Sequence, residues 1–120
     1  MKDNLVRDKS YAFAVRMVNL YKHLSQNKKE FVLSKQILRS GTSVGVNIEE
    51  AIGAQSKKDF ITKLSIVYKE IRETGYWIRL LRDTEYLTRE EFDSIFEDCD
   101  HLQKIIGKIK KTATCLESHS

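Results

Sequence analysis

Read at helical spacing, residues 33–60 separate into stripes. Ile37, Gly41, Val44, Gly45, Ile48, Ala51 and Ile52 recur at the three- and four-residue steps of one buried helix face. Beside them Gln36, Ser40, Ser43, Asn47 and Glu50 form a second ridge, polar and mostly small, where a solvated face would carry Lys and Glu. Lys35, Thr42, Glu49 and Gly53 are left for water. A glycine inside a helix costs about 1 kcal/mol relative to Ala. Gly41 and Gly45 therefore predict the close approach of another helix at positions where a side chain would block it. Neither is followed by Lys-Ser or Lys-Thr, and no strand precedes them, which excludes a phosphate loop.

The same periodicity predicts three more helices. The first runs from about Val6 to Leu24, with Tyr11, Ala14, Val15, Val18 and Tyr21 along one side and Phe13, Met17, Leu20 and Leu24 along another, a wide arc for a surface helix. SQNKKE breaks the pattern. Ser34 is the favoured cap of helix two, ahead of a first turn capped by Asn27 with Glu30. Helix two ends near Gly53 and Ala54, and Ser56 caps helix three with Asp59 placed to reach back. Helix three runs to about Arg82, its seam Phe60, Leu64, Val67, Ile71, Thr74, Ile78 and Leu81 in heptad rhythm. Thr88 and Glu91 form a capping box, with Leu87 and Phe92 as a hydrophobic staple. Helix four carries Phe92, Ile95, Cys99, Leu102, Ile106, Ile109 and Ala113, and is expected to fray after Thr114. With no proline, no repeat and only short connections, residues 1–120 read as one all-α domain, an antiparallel up-down-up-down four-helix bundle.

The central stretch resembles the bacterial four-helix-bundle family known as the 23S rRNA intervening-sequence proteins. The resemblance rests on Gln36, Arg39, Ser40, Ser43-Val44, Asn47-Ile48, Glu50-Ala51, Ser56, Asp59-Phe60, Leu64, Glu70, Glu73 and Trp77, with Tyr11-Ala12-Phe13-Ala14-Val15 fitting the first helix. It covers nearly the whole chain. The family is similar to the accessory proteins of diversity-generating retroelements, which are basic, pentameric, and bind nucleic acid and a reverse transcriptase. The resemblance thus implies a homopentamer, a nucleic-acid ligand and a protein partner, without defining an activity.

Charge sharpens that picture. The chain has 21 basic and 17 acidic residues, a net charge of +4. Residues 83–100 hold eight of the acids against Arg89 alone, so the rest of the chain keeps 20 basic against 9 acidic residues. In the antiparallel topology, one pole gathers Lys2, Arg7, Lys9, Lys57, Lys58, Lys63, Lys104, Lys108, Lys110 and Lys111, and the acidic segment falls at the other. Lysines late in helix four suit the helix dipole, whereas Lys57 and Lys58 stand at a helix start, where the dipole disfavours them. A second strip on helix three, Lys69, Arg72, Tyr76 and Arg79, has the composition that holds phosphates and stacks on a base, although a plain solvated face accounts for it equally well.

Other chemistry is poorly supported. A di-iron site needs two Glu-x-x-His pairs, and the chain offers only Asp98-x-x-His101; His23 lacks a matching carboxylate, and Cys115 with His119 supplies two ligands. Cys99 reads as a small core residue. Arg39 is placed to pair with Glu70 or Glu73, a structural ion pair in preference to catalytic acids. No metal, cofactor or small-molecule substrate is expected, and no enzymatic activity. The first residues lack an apolar signal core, no run is long enough to span a membrane, and two cysteines make no disulfide framework; the expectation is a soluble cytoplasmic protein.

Helix three also carries spare apolar surface. Ile66, Trp77 and Leu80, interleaved with Glu70 and Glu73, predict an oligomer interface. The sequence therefore leads to a non-enzymatic, oligomeric bundle that binds RNA or DNA, with RNA favoured, through Lys57, Lys58, Lys63, Lys104, Lys108, Lys111 and the strip Lys69, Arg72, Tyr76 and Arg79. The competing reading is a protein-interaction scaffold whose charges only keep it soluble.

Overall fold

The computed structural model describes residues 3–118, with side chains from Leu5 to Leu116. Lys2 and His119 lie outside the described residues. Four helices make up the fold: α1 Asp3–Gln26, α2 Leu33–Ile52, α3 Lys57–Asp83 and α4 Arg89–Ser118, with no strand among the described residues. Each helix packs on the next, and α4 closes more loosely on α1. The body measures 51 × 22 × 21 Å, so its two ends lie far apart. Cross-links between neighbours run in opposite sequence order: Arg7 meets Glu49, and Gly41 meets Met17. Lys63 meets Glu50 and Thr74 meets Ser40, while Tyr68 meets Gly107 and Gly75 meets Cys99.

The seams form one core. Leu64, Val67, Ile71, Ile78 and Leu81 of α3 and Ile95, Cys99, Leu102 and Ile106 of α4 are buried with Ile37, Val44 and Ile48 of α2. The neighbour that approaches the glycines is α1. A Cβ on Gly41 would lie 2.3 Å from Met17 Cγ, and Met17 is fully buried, so it has nowhere to swing. At Gly45 a Cβ would touch the Ser10 carbonyl oxygen at 3.4 Å. The small polar ridge faces α3. Ser40 and Thr74 are buried with their hydroxyls hydrogen-bonded to each other at 2.9 Å. Ser43 and Asn47 donate back to the carbonyls of Arg39 and Ser43. Polar groups satisfied within their own helix let the second helix come close without a desolvation cost.

Helix ends and one helix face correct the sequence reading in three places. Ser34 is not the cap of α2. It lies buried in the first turn, donating its hydroxyl to the Glu30 carbonyl. The orphan donors of that turn are taken by the buried Glu30 carboxylate, which accepts from Val32, Leu33 and Ser34 N–H at 3.2, 3.0 and 2.7 Å. Second, α4 does not end at Thr114 but continues to Ser118. Third, α1 buries only one of its two apolar lines. Val6, Phe13, Met17, Leu20 and Leu24 enter the core, whereas Tyr11, Val15 and Val18 stay exposed. The other starts are as expected: Asp59 N–H donates to Ser56 Oγ at 3.0 Å, and Thr88 and Glu91 close a reciprocal capping box at 2.8 and 3.1 Å.

Candidate nucleic-acid interface

At the end of the bundle built from the α2–α3 turn and the second half of α4, Lys57, Lys58, Lys108 and Lys111 are exposed. None has an ion pair among the described residues. Three cations assigned to this pole are engaged instead. Arg7 pairs with Glu49 at 2.9 Å, Lys63 with Glu50 at 2.8 Å, and Lys104 with Asp100 at 2.8 Å. The hydrogen bond to Glu50, reinforced by its charge, holds the Lys63 ammonium above its ordinary pKa. Lys63 and Lys104 therefore have less charge to offer a ligand than their neighbours.

The length of α4 changes the reading of its lysines. Its last turn contains no basic residue, and Lys108 and Lys111 stand about three and two turns before Ser118. A helix dipole acts only within the first and last turn. These lysines are therefore not explained as terminal charge compensation.

The strip on α3 is in place and longer than its four residues. Lys58, Lys69, Arg72, Tyr76 and Arg79 share one outward face, all exposed. The Arg79 guanidinium stands 5.8 Å from the Tyr76 ring centroid, and Trp77 meets Tyr76 edge-on at 5.3 Å. Tyr68, which sequence reading left out, completes the face. It lies between Arg72 of α3 at 5.9 Å and Lys110 of α4 at 5.2 Å, so it ties the strip to the lysines of α4. Its ring edge rests on Gly107, where a Cβ would come within 3.2 Å. An open groove of about 530 Å³ beside it is lined by Tyr68, Gly107, Lys110, Lys111, Thr114 and Cys115. The signal available in the sequence was the spacing of Tyr68 to Arg72 and Tyr76 to Arg79, aromatic and cation within one helical turn.

Toward the opposite end some charges are used internally, although Lys22, Lys28, Lys29 and Lys35 there are exposed and without an ion pair among the described residues. Arg16 bonds to Asp98 at 2.6 Å and to the Ser94 carbonyl at 3.1 Å, and Asp83 pairs with Arg82. Burial pushes the Glu30 carboxyl up, but the N–H groups of Leu33, Ser34 and Val32 outweigh it and hold the pKa below its ordinary value. Glu91 is likewise lowered, first by the Thr88 N–H, with His23 and Lys28 adding to it against burial.

The predicted oligomer patch is partly used within the chain. Arg39 bridges Glu70, at 3.3 Å, and Glu73, and the Trp77 indole donates to Glu73 at 3.0 Å. Trp77 is half-buried against the core, Leu80 is half-buried, and Ile66 is exposed. Cys99 is buried and its thiol is pushed up to about 12, first by burial, so it is an unreactive core residue. Among the described residues no group of three or more His, Cys, Asp or Glu could hold a metal ion, and no helix is long and apolar enough to cross a membrane.

Four packed helices with a cationic, tyrosine-bearing face define a helical-bundle protein. The chain belongs to the 23S rRNA-intervening sequence protein family, whose model matches residues 2–108. A crystal structure of a protein with unknown function from the S23 ribosomal protein family, from Bacteroides thetaiotaomicron, is similar at 59% identity and a TM-score of 0.90, covering 92% of this chain and 99% of that one. No curated protein matches the sequence. The family match stops short of Lys110 and Lys111, which lie in the last part of α4.

Proposed function

We propose that this protein binds RNA through phosphate contacts, as a non-enzymatic, oligomeric up-down-up-down bundle of the cytoplasm. The observation that carries the proposal is the set of exposed cations without ion pairs, Lys57, Lys58, Lys108 and Lys111, continuous with the α3 strip. Lys57 and Lys58 lie in the first turn of α3, where the dipole opposes them, so a ligand rather than folding stability accounts for their charge. Such contacts position a nucleic acid without reading its sequence. Glu70 and Glu73 are occupied by Arg39 and the Trp77 indole, which suits a structural role rather than acid–base chemistry.

A homopentamer, as the resemblance implies, would repeat this face on every subunit and raise the avidity. The likeness to retroelement accessory proteins extends the proposal to a protein partner. The scaffold reading keeps one observation in its favour: Tyr11, 71% exposed, lines up with Val15 and Val18 on α1 as an apolar stripe open to a partner protein.

Binding of the purified chain to RNA and to DNA over a salt series separates the two. A log-affinity against log-salt slope of several units supports phosphate contact. Absence of binding at low salt removes it and leaves the scaffold.

A further inference from the structure

We infer that the α3–α4 face selects an unpaired RNA strand over a duplex, with one base in the groove beside Tyr68 and another on Tyr76. This rests on the nucleic-acid reading above and names the form of the ligand. Phosphate binding alone needs only cations, and duplex backbones present phosphates as well as single strands do. The face holds two tyrosines among its cations, and their positions are informative. Tyr76 is 51% exposed, meets Trp77 in a T-shaped contact and has the Arg79 guanidinium over its ring, so it is a platform held in one orientation. Tyr68 is held by Arg72, Lys110 and the backbone of Gly107 at the wall of the open groove.

The two rings are eight residues apart on one helix, roughly 12 Å at 1.5 Å per residue. Stacked bases in a duplex follow each other every 3.4 Å or so along each strand and keep their faces covered. The interior of a duplex therefore cannot place a base on Tyr76 or in the groove beside Tyr68, whereas a strand with its bases splayed can reach both. Lys69 and Arg72 lie between the two tyrosines in sequence, and Lys110 and Lys111 border the groove, which places cations along the path of the backbone between the bases.

The test uses the full chain, a short oligouridylate and a blunt RNA duplex of the same length, at one salt concentration. Fluorescence anisotropy measures affinity, and Trp77, the single tryptophan, reports from beside Tyr76. The expected result is tighter binding of the oligouridylate, with a change in Trp77 emission that the duplex does not produce. Tyr76→Leu, at an exposed site, should weaken the oligouridylate by roughly 5- to 150-fold, the range for one lost base stack. It should leave duplex affinity unchanged and helicity intact by circular dichroism. Equal affinity for both RNAs, with Tyr76→Leu silent and the salt slope retained, overturns the single-strand inference and keeps the phosphate reading. No binding of either RNA at low salt overturns both.

Discussion

The two ends of this bundle carry charge for different purposes. At the end where α1 meets α2 and α3 meets α4, several charged groups are spent on folding. Glu30 closes the first turn of α2, Glu91 caps α4, and Arg82 holds Asp83. At the other end Lys57, Lys58, Lys108 and Lys111 are exposed and make no ion pair among the described residues, and the α3 strip continues the same surplus. Lys22, Lys28, Lys29 and Lys35 at the first end are also exposed and without an ion pair among the described residues, so what sets Lys57 and Lys58 apart is their place at a helix start, against the dipole. The comparison predicts a double dissociation between stability and RNA binding.

The largest effect should come from the free cations. Replacing Lys57, Lys58, Lys108 and Lys111 together by Gln should flatten the salt dependence of RNA binding by roughly three units of log–log slope, at 0.7–0.9 per lost contact. The melting temperature should hold or rise, because the Lys57 and Lys58 changes remove an unfavourable dipole contact. Titrations over a salt series, with thermal melts of the same samples, check both halves.

The opposite outcome is expected at the other end. Glu30→Ala should cost about 1–2 kcal/mol of stability, as loss of a helix cap does, and leave RNA affinity alone. Acid should act on the same group. The folded pKa values of Glu30 and Glu91 are lowered from an ordinary value of 4.5, so the stability they add is complete above that value and is lost as pH falls through the lowered one. Glu30→Gln should therefore flatten the acid limb of a stability–pH profile measured by chemical denaturation.

A smaller effect sharpens the contrast. Glu85 follows α3 with φ of 67°, the left-handed region, while Glu85 and Tyr86 N–H return to the carbonyls of Arg82 and Leu81. That is a Schellman ending in which glycine is the usual occupant. Glu85→Gly should raise stability by up to about 1 kcal/mol. Equilibrium unfolding would show it, with no change in RNA binding.

Much of the fold was legible because its signals are local. The heptad seams of α3 and α4, the Ser56 cap and the Thr88–Glu91 box are all set within a few residues, and each is as the spacing requires. Gly41 announced a close neighbour, and only the tertiary fold shows it to be Met17. The Glu30 cap was missed because its carboxylate acts from outside the helix, through a bend that puts Lys29 at φ 56°. The exposed line of α1 was missed because periodicity shows that a face is apolar, not what covers it. The charges of the candidate site were legible as a list, but their state was not. Whether a lysine is free depends on a carboxylate 4 residues away, as for Lys104, or 13 away on another helix, as for Lys63. Tyr68 became part of the face only once α4 brought Lys110 over its ring.

One measurement tests the division of the two ends most directly: lysine-reactive footprinting of the full chain by mass spectrometry, with and without saturating RNA. Every lysine then reports on itself in a single experiment. RNA should protect Lys57, Lys58, Lys69, Lys108 and Lys111, while Lys22, Lys28, Lys29 and Lys35 at the other end keep their reactivity. Protection of Lys28, Lys29 and Lys35 with the first set unchanged, or equal protection at both ends, would contradict the account.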